Sequence, residues 1–133
     1  AVMGKEYIFN IVSMGEPHTV LFTDHLENAD ISELGAQIEY DSIFPERSNV
    51  EFAKVMDDHT IKIRTWSKGC GETFASGSGS CAAVVSAVLN GYLKKDVDID
   101  VKQRGGDMVV RYTDDGVILK GTSAIVFSGE IQF

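Results

Sequence analysis

Residues Gly69 to Ala83 form a run rich in glycine, serine and alanine that feeds an apolar stretch continuing to Leu93. From about Gly79 to Leu93 the pattern reads as a helix with Ala82, Ala83, Val84, Val85, Ala87, Val88 and Leu89 spread over nearly every face. A helix apolar all round must be buried. A membrane span needs ~20 apolar residues, and this stretch is too short. The helix is therefore expected inside the fold, wrapped by sheet. Its small residues Ser80, Ala82, Ala83, Ser86 and Ala87 would let strands approach closely. The glycine-rich entry gives it a second property. Glycines let the chain turn sharply and let a ligand approach the backbone. The first turn of the helix presents unpaired N–H groups and the positive end of its dipole, a ready-made anion site.

The rest of the chain supplies the sheet. Glu6–Met14, His18–Phe22, Asn49–Met56, Thr60–Trp66, Val97–Lys102, Met108–Tyr112, Val117–Lys120 and Ala124–Phe133 read as strands. Asp57-Asp58-His59 and Asp114-Asp115-Gly116 fit hairpin turns, and Gly105-Gly106 breaks the chain before the latter. One more helix is expected over Asp30–Glu39, with Asp30 as N-cap and Glu33 at the capping-box spacing. The expected class is α+β: a mixed, mostly antiparallel, barrel-like sheet around one central buried helix. The 133 residues predict a single domain with a real core. A net charge of −8 disfavours nucleic acid as a partner. No membrane span or signal peptide is apparent, and Cys70 and Cys81 read as free thiols of a reducing cytoplasm. Neither the cysteines nor the scattered histidines have metal-ligand spacing. The start at Ala1-Val2-Met3 fits a removed initiator and equally a cut inside a longer protein.

Several short motifs carry two readings each. Gly77-Ser78-Gly79-Ser80-Cys81-Ala82 matches the dinucleotide fingerprint G-x-G-x-x-A, with Asp98 and Asp100 about 20 residues on. That fingerprint needs a strand running directly into its first glycine, and here the strand ends near Trp66. Gly15-Glu16-Pro17-His18 is either a plain turn with a surface histidine or a histidine held near a ligand. Ser67-Lys68 is either a solvated turn or a source of positive charge beside the glycine loop. Asn49 follows a turn at Phe44-Pro45 and reads as a turn or cap residue.

Taken together, these pieces resemble the C-terminal half of the diaminopimelate epimerase family. The resemblance rests on Met14-Gly15-x-Pro17-His18-x-Val20-x-Phe22, Phe44-Pro45 with Asn49-Val50-x-Phe52, and Arg64-x-Trp66-x-x-Gly69-x-Gly71-Glu72-Thr73-x-Ala75. It continues through Gly77-x-Gly79-x-Cys81-Ala82-Ala83, Gly105-Gly106 and Val126-Phe127-x-Gly129-Glu130-Ile131. It implies a cofactor-independent amino-acid racemase or epimerase of two halves, in lysine biosynthesis, with a small amino-acid substrate between the halves. Each half contributes a cysteine, one removing the α-proton and the other reprotonating the opposite face. By this resemblance the chain holds one half and lacks the N-terminal domain. An exposed interdomain face then predicts self-association.

The departures from the family pattern bear on chemistry. The family's catalytic cysteine falls at Ser76, whose hydroxyl is a poor proton acceptor at neutral pH. Glu16 stands for Asn, Ser67 for Glu, Lys68 for Arg and Ser78 for Thr, while His18 and Asn49 are kept. The implied substrate-binding residues are thus Glu16, His18, Asn49, Ser67, Lys68, Gly77 and Ser78. In the family the Asn and Arg positions hold the distal end of diaminopimelate, and the Glu contacts the amino group at the reacting carbon. Glu16 puts an acid where a carboxylate binds, which points to an amino acid with a cationic or polar side chain. The isolated chain is expected to be inactive. The other reading is a non-catalytic amino-acid-binding or scaffolding homologue.

Overall fold

The computed structural model describes residues 5–133. One mixed sheet of eight strands runs β1 (Asn10–Ser13), β2 (Pro17–Phe22), β3 (Asn49–Asp57), β4 (Thr60–Ser67), β6 (Ile99–Lys102), β7 (Met108–Thr113), β8 (Gly116–Lys120), with β5 (Gly71–Thr73) paired to β4. Five strand pairs are antiparallel; β2 with β3 and β4 with β6 are parallel. Parallel neighbours need a crossover, and a helix supplies each one. Helix α1 (Ile31–Glu39) lies between β2 and β3 in the chain, and α2 (Gly77–Leu89) between β4 and β6.

The two crossovers cover opposite faces of the sheet. Val20, Ala53, Ile61 and Ile63 pack with Ala82, Ala83, Val84 and Ala87 of α2. Their strand neighbours Leu21, Val50 and Phe52 pack with Ile31, Leu34 and Ile38 of α1, and Trp66 leans on the same cluster. Alternation of side chains across a strand makes this division automatic. The curled sheet reaches α2 from β1, β2, β3, β4, β7 and β8. The expectation of a barrel-like sheet around one central helix holds in part: the sheet is an open half-barrel, and both expected helices pack on it, one on each face. Val50 to Ala53 of β3 are buried on both faces, so the second face also needs a cover.

Local signals set the boundaries. Asp30 caps α1 by accepting from the Glu33 N–H at 3.1 Å. Helix α2 stops earlier than the expected Leu93. Gly91 takes φ +76°, and the Gly91 and Tyr92 N–H groups donate to Val88 and Ala87 carbonyls. That closure is the glycine-terminated Schellman pattern. The first strand is shorter than expected, starting at Asn10. The strand expected at Ala124–Phe133 is absent, and residues 121–133 have no regular structure. Ile125, Val126 and Phe127 are 85–92% exposed. An extended segment with no ladder partner gains too little to hold a strand.

Asp98, just before β6, ties down the β7–β8 hairpin. It accepts from Arg111 Nε at 2.8 Å and from Lys120 Nζ at 3.4 Å. The Arg111 hydrogen bond, aided by Lys120, holds this carboxyl below the usual carboxylate range. A lowered folded-state pKa gives stability that is present above the unfolded value and lost as pH falls through the folded one. Asp98→Asn should therefore lower the urea midpoint slightly at about pH 7, the gap to the parent chain closing as pH falls below the ordinary carboxylate range.

Candidate functional site

The first turn of α2 is built as the sequence suggests. Gly69 and Gly71 take φ +76° and +83°, which lets the chain reverse after β4 into β5. The Cys70 N–H donates to the Ser67 carbonyl at 2.9 Å within that turn. Ser76 then caps α2 with extended backbone, its Oγ accepting from the Gly79 N–H at 2.9 Å. Ser80 donates through both its N–H and its Oγ to the Ser76 carbonyl, at 3.0 and 2.6 Å. The loop after β6 braces the cap: Gln103 Oε1 accepts from the Ser76 N–H at 3.0 Å, and the Gly105 N–H donates to the Phe74 carbonyl at 2.7 Å. Among the described residues no protein group accepts from the N–H of Gly77 or Ser78. Ser78 is exposed and Gly77 half-buried. Two free amides at the positive end of a thirteen-residue helix thus face an open surface.

A polar cluster forms where β2 and β3 begin and β4 ends. Asn49 Oδ1 accepts from the Lys68 N–H at 2.8 Å, and its Nδ2 donates to Glu16 Oε2 at 3.4 Å. Lys68 Nζ stands 3.5 Å from Glu16 Oε1. Glu16, Asn49 and Lys68 therefore form one connected group. Ser67 is joined to it by sequence and to β5 by a 2.9 Å contact between its Oγ and Thr73 Oγ1.

His18 departs from the surface-histidine reading: it is 1% exposed. It sits near the start of β2 as the cross-strand partner of Asn49, and its Nδ1 lies 2.9 Å from Glu51 Oε1 in a buried hydrogen bond. Glu51 is fully buried, and burial pushes its carboxyl up while the His18 hydrogen bond pulls the other way. A Cβ on Gly79 would stand 2.6 Å from Glu51 Oε1 and 2.8 Å from Ser76 Oγ. His18, Glu51, Gly79 and Ser76 are thus packed in series. Cys81 lies one turn further along α2, its thiol pushed up by burial, and Cys70 is exposed and free.

Two residues that shape the site escaped the sequence reading. Glu51 sits in Asn49–Met56, where alternation alone sends it to the polar face; both faces of β3 are in fact covered. Glu39, the last residue of α1, is 2% exposed. Its carboxylate accepts from Trp66 Nε1 at 2.7 Å, the Gly69 N–H at 2.9 Å and Arg47 Nη1 at 3.1 Å. It pins the turn that carries Lys68. A carboxylate at the end of an amphipathic helix gives no sequence sign of being folded under.

A cleft of about 400 Å³ lies elsewhere, between Phe22, Asp24, Lys54, Val55 and Tyr92, and shares no residue with the α2 turn. No helix among the described residues is long and apolar enough to cross a membrane.

This is a half-barrel fold with the capped, glycine-rich start of a buried helix at one end of its sheet. The model of the family described as diaminopimelate epimerase matches residues 10–126, and the chain belongs to that family. A diaminopimelate epimerase of Bacillus mycoides (strain KBAB4) is 43% identical over 128 residues, covering 96% of this chain and 44% of the relative. That of Bacillus cereus (strain B4264) is 41% identical with the same coverage. The chain therefore spans less than half the length of these curated relatives. Among solved structures, the Bacillus anthracis phenazine biosynthesis protein of the PhzF family superposes with a TM-score of 0.61. It is 13% identical and covers 85% of this chain and 38% of that one, a likeness of fold alone.

Proposed function

We propose that this chain is the C-terminal domain of a diaminopimelate-epimerase-like amino-acid racemase or epimerase, and that the turn Ser76-Gly77-Ser78 receives the substrate's α-carboxylate. The observation that carries this reading is the pair of unpartnered amides, Gly77 and Ser78, at the capped start of α2. Fixed N–H donors there bind the carboxylate and strengthen their hold as negative charge spreads from the α-carbon during proton removal. No cofactor is required by that chemistry, since the opposed acid and base come from the two halves of the protein.

Ser76 occupies the position of the proton-transferring cysteine. A thiol at a helix N-terminus ionises readily, whereas a serine hydroxyl does not, and this one is already engaged as the N-cap acceptor. Ser67, where the family has Glu, adds no base. The chain as it stands binds without inverting. Those two serines also favour the second reading, a homologue retired from catalysis and kept for amino-acid binding or scaffolding. Glu16, with Asn49 and Lys68, forms the subsite for the far end of the ligand. Its carboxylate selects a cationic or polar side chain over a second carboxylate.

Exposed apolar residues such as Ile125, Val126, Phe127 and Ile118 are offered to the N-terminal domain. In its absence they drive self-association, visible as a concentration-dependent sedimentation coefficient; a strictly monomeric profile would count against it.

The ligand reading is tested by titrating ¹⁵N-labelled chain with lysine and, in parallel, with cadaverine, which lacks the carboxylate. Amide shifts at Gly77 and Ser78 with lysine alone support it. Equal shifts with both ligands, or none at that turn, contradict it.

A further inference from the structure

We propose that Glu51 is a positioning residue of this site, holding His18 by its Nδ1–H beneath the first turn of α2 in a space that the bare Cα of Gly79 leaves open. Glu51 is a poor choice for its surroundings on packing grounds. It is fully buried, its Oε2 has no hydrogen-bond partner, and its cross-strand neighbour Thr65 carries a second unpartnered buried oxygen, Oγ1. An apolar side chain there would avoid the cost of desolvating a carboxyl group. What Glu51 supplies instead is direction. Its Oε1 lies 2.9 Å from Nδ1; accepting a hydrogen bond from an Nδ1–H there fixes the ring and leaves Nε2 as the nitrogen free to accept. Carboxylates play the same role behind histidines that bind metals or act as bases. The same oxygen lies 2.6 Å from where a Gly79 side chain would begin, so any side chain at 79 would push the carboxyl away from His18. The imidazole thus stands between the Glu16–Asn49–Lys68 cluster, through its strand partner Asn49, and the cap of α2.

The inference rests on the reading that His18 belongs to a ligand site, but its test is separate. Long-range ¹H–¹⁵N correlation on the unliganded chain near neutral pH reports which ring nitrogen of His18 carries the proton. Nδ1 should be protonated in the parent chain and in Glu51→Gln, whose amide oxygen still accepts. Glu51→Leu should move the proton to Nε2. Gly79→Ala, whose Cβ meets Glu51 Oε1 first, should shift the His18 Nδ1 resonance by displacing Glu51. In the lysine titration, Glu51→Leu should weaken binding about 10-fold or more and Glu51→Gln far less, the range seen when such orienting partners are removed. An Nε2-protonated His18 in the parent chain overturns the proposal, as does an equal loss of binding in the two Glu51 variants. Should Glu51→Leu not fold, an unmoved His18 signal in Gly79→Ala overturns it alone. Failure of lysine to bind any form, with the tautomers as expected, would sink the ligand reading and leave Glu51's hold on His18 standing.

Discussion

Glu39→Ala lowers the stability of this domain by about 3–5 kcal/mol, the scale of two lost hydrogen bonds to a charged acceptor. The carboxylate is 2% exposed and accepts from Trp66, Gly69 and Arg47. The Arg47 side chain is 40% exposed, so its pairing is screened and contributes little. Most of the loss comes from the indole and backbone N–H groups, each of which bonds a charged acceptor worth about 1.5–3 kcal/mol. Glu39→Gln retains one oxygen acceptor and should cost about half as much. The effect is also local. The Gly69 N–H is what fastens the turn carrying Lys68, and the Lys68 N–H in turn holds Asn49. Urea unfolding should show the loss, and amide exchange should quicken at Cys70 before the global transition. A midpoint unchanged in Glu39→Ala would mean that the buried carboxylate is not the brace described here.

Gly35→Val is the second large effect, at about 3 kcal/mol of destabilisation. Glycine inside a helix is ordinarily a weak point, and alanine there would gain about 1 kcal/mol. Here the sign reverses. A Cβ on Gly35 would lie 2.6 Å from Trp66 Cγ and 2.9 Å from Trp66 Cβ. These are the root of the side chain, which cannot swing aside without moving β4. The far end of the indole is held as well, by Glu39. Overpacking therefore outweighs propensity even in Gly35→Ala, and the added methyls of valine enlarge the deficit. Because Gly35 and Glu39 act on the same indole, the double variant should lose less than the two single losses together. A Gly35→Ala chain more stable than its parent would contradict the packing of α1 on Trp66.

Much of this fold could be read from the residues, for reasons specific to each element. Asp30 and Glu33 announced α1, and the Asp-Asp-Gly turn announced the β7–β8 hairpin. The all-round apolar run announced that α2 is buried. The opposite face of the sheet was harder to see. Strands Asn49–Asp57 and Thr60–Ser67 alternate in sequence, which suggests one polar face open to water, yet α2 covers the face that holds Glu51 and Thr65. Whether an alternating residue meets water depends on where the crossover returns, and that is settled by packing rather than by the strand. The tail failed for a related reason: Ala124–Phe133 has strand composition, but a strand is a property of two segments.

At the site, the Ser76 cap and the free amides follow from local sequence, since glycines and a small polar residue before an apolar run leave few alternatives. The grouping of Glu16, Asn49 and Lys68 depends on the parallel pairing of β2 with β3 and on the end of β4, a non-local register that no single motif contains. The buried partner of His18 was invisible for the same reason. It lies thirty-three residues away on the next strand.

The most direct test is α-proton exchange in D₂O, followed by NMR, on the full-length gene product as encoded and carrying Ser76→Cys, with lysine and diaminopimelate as candidate substrates. The account predicts no exchange from the encoded protein and exchange raised by at least about 100-fold in Ser76→Cys, the scale of gain expected from a positioned general base. Exchange at full rate with Ser76 in place would contradict it, because the proton would then be moved by a group other than the one at the head of α2.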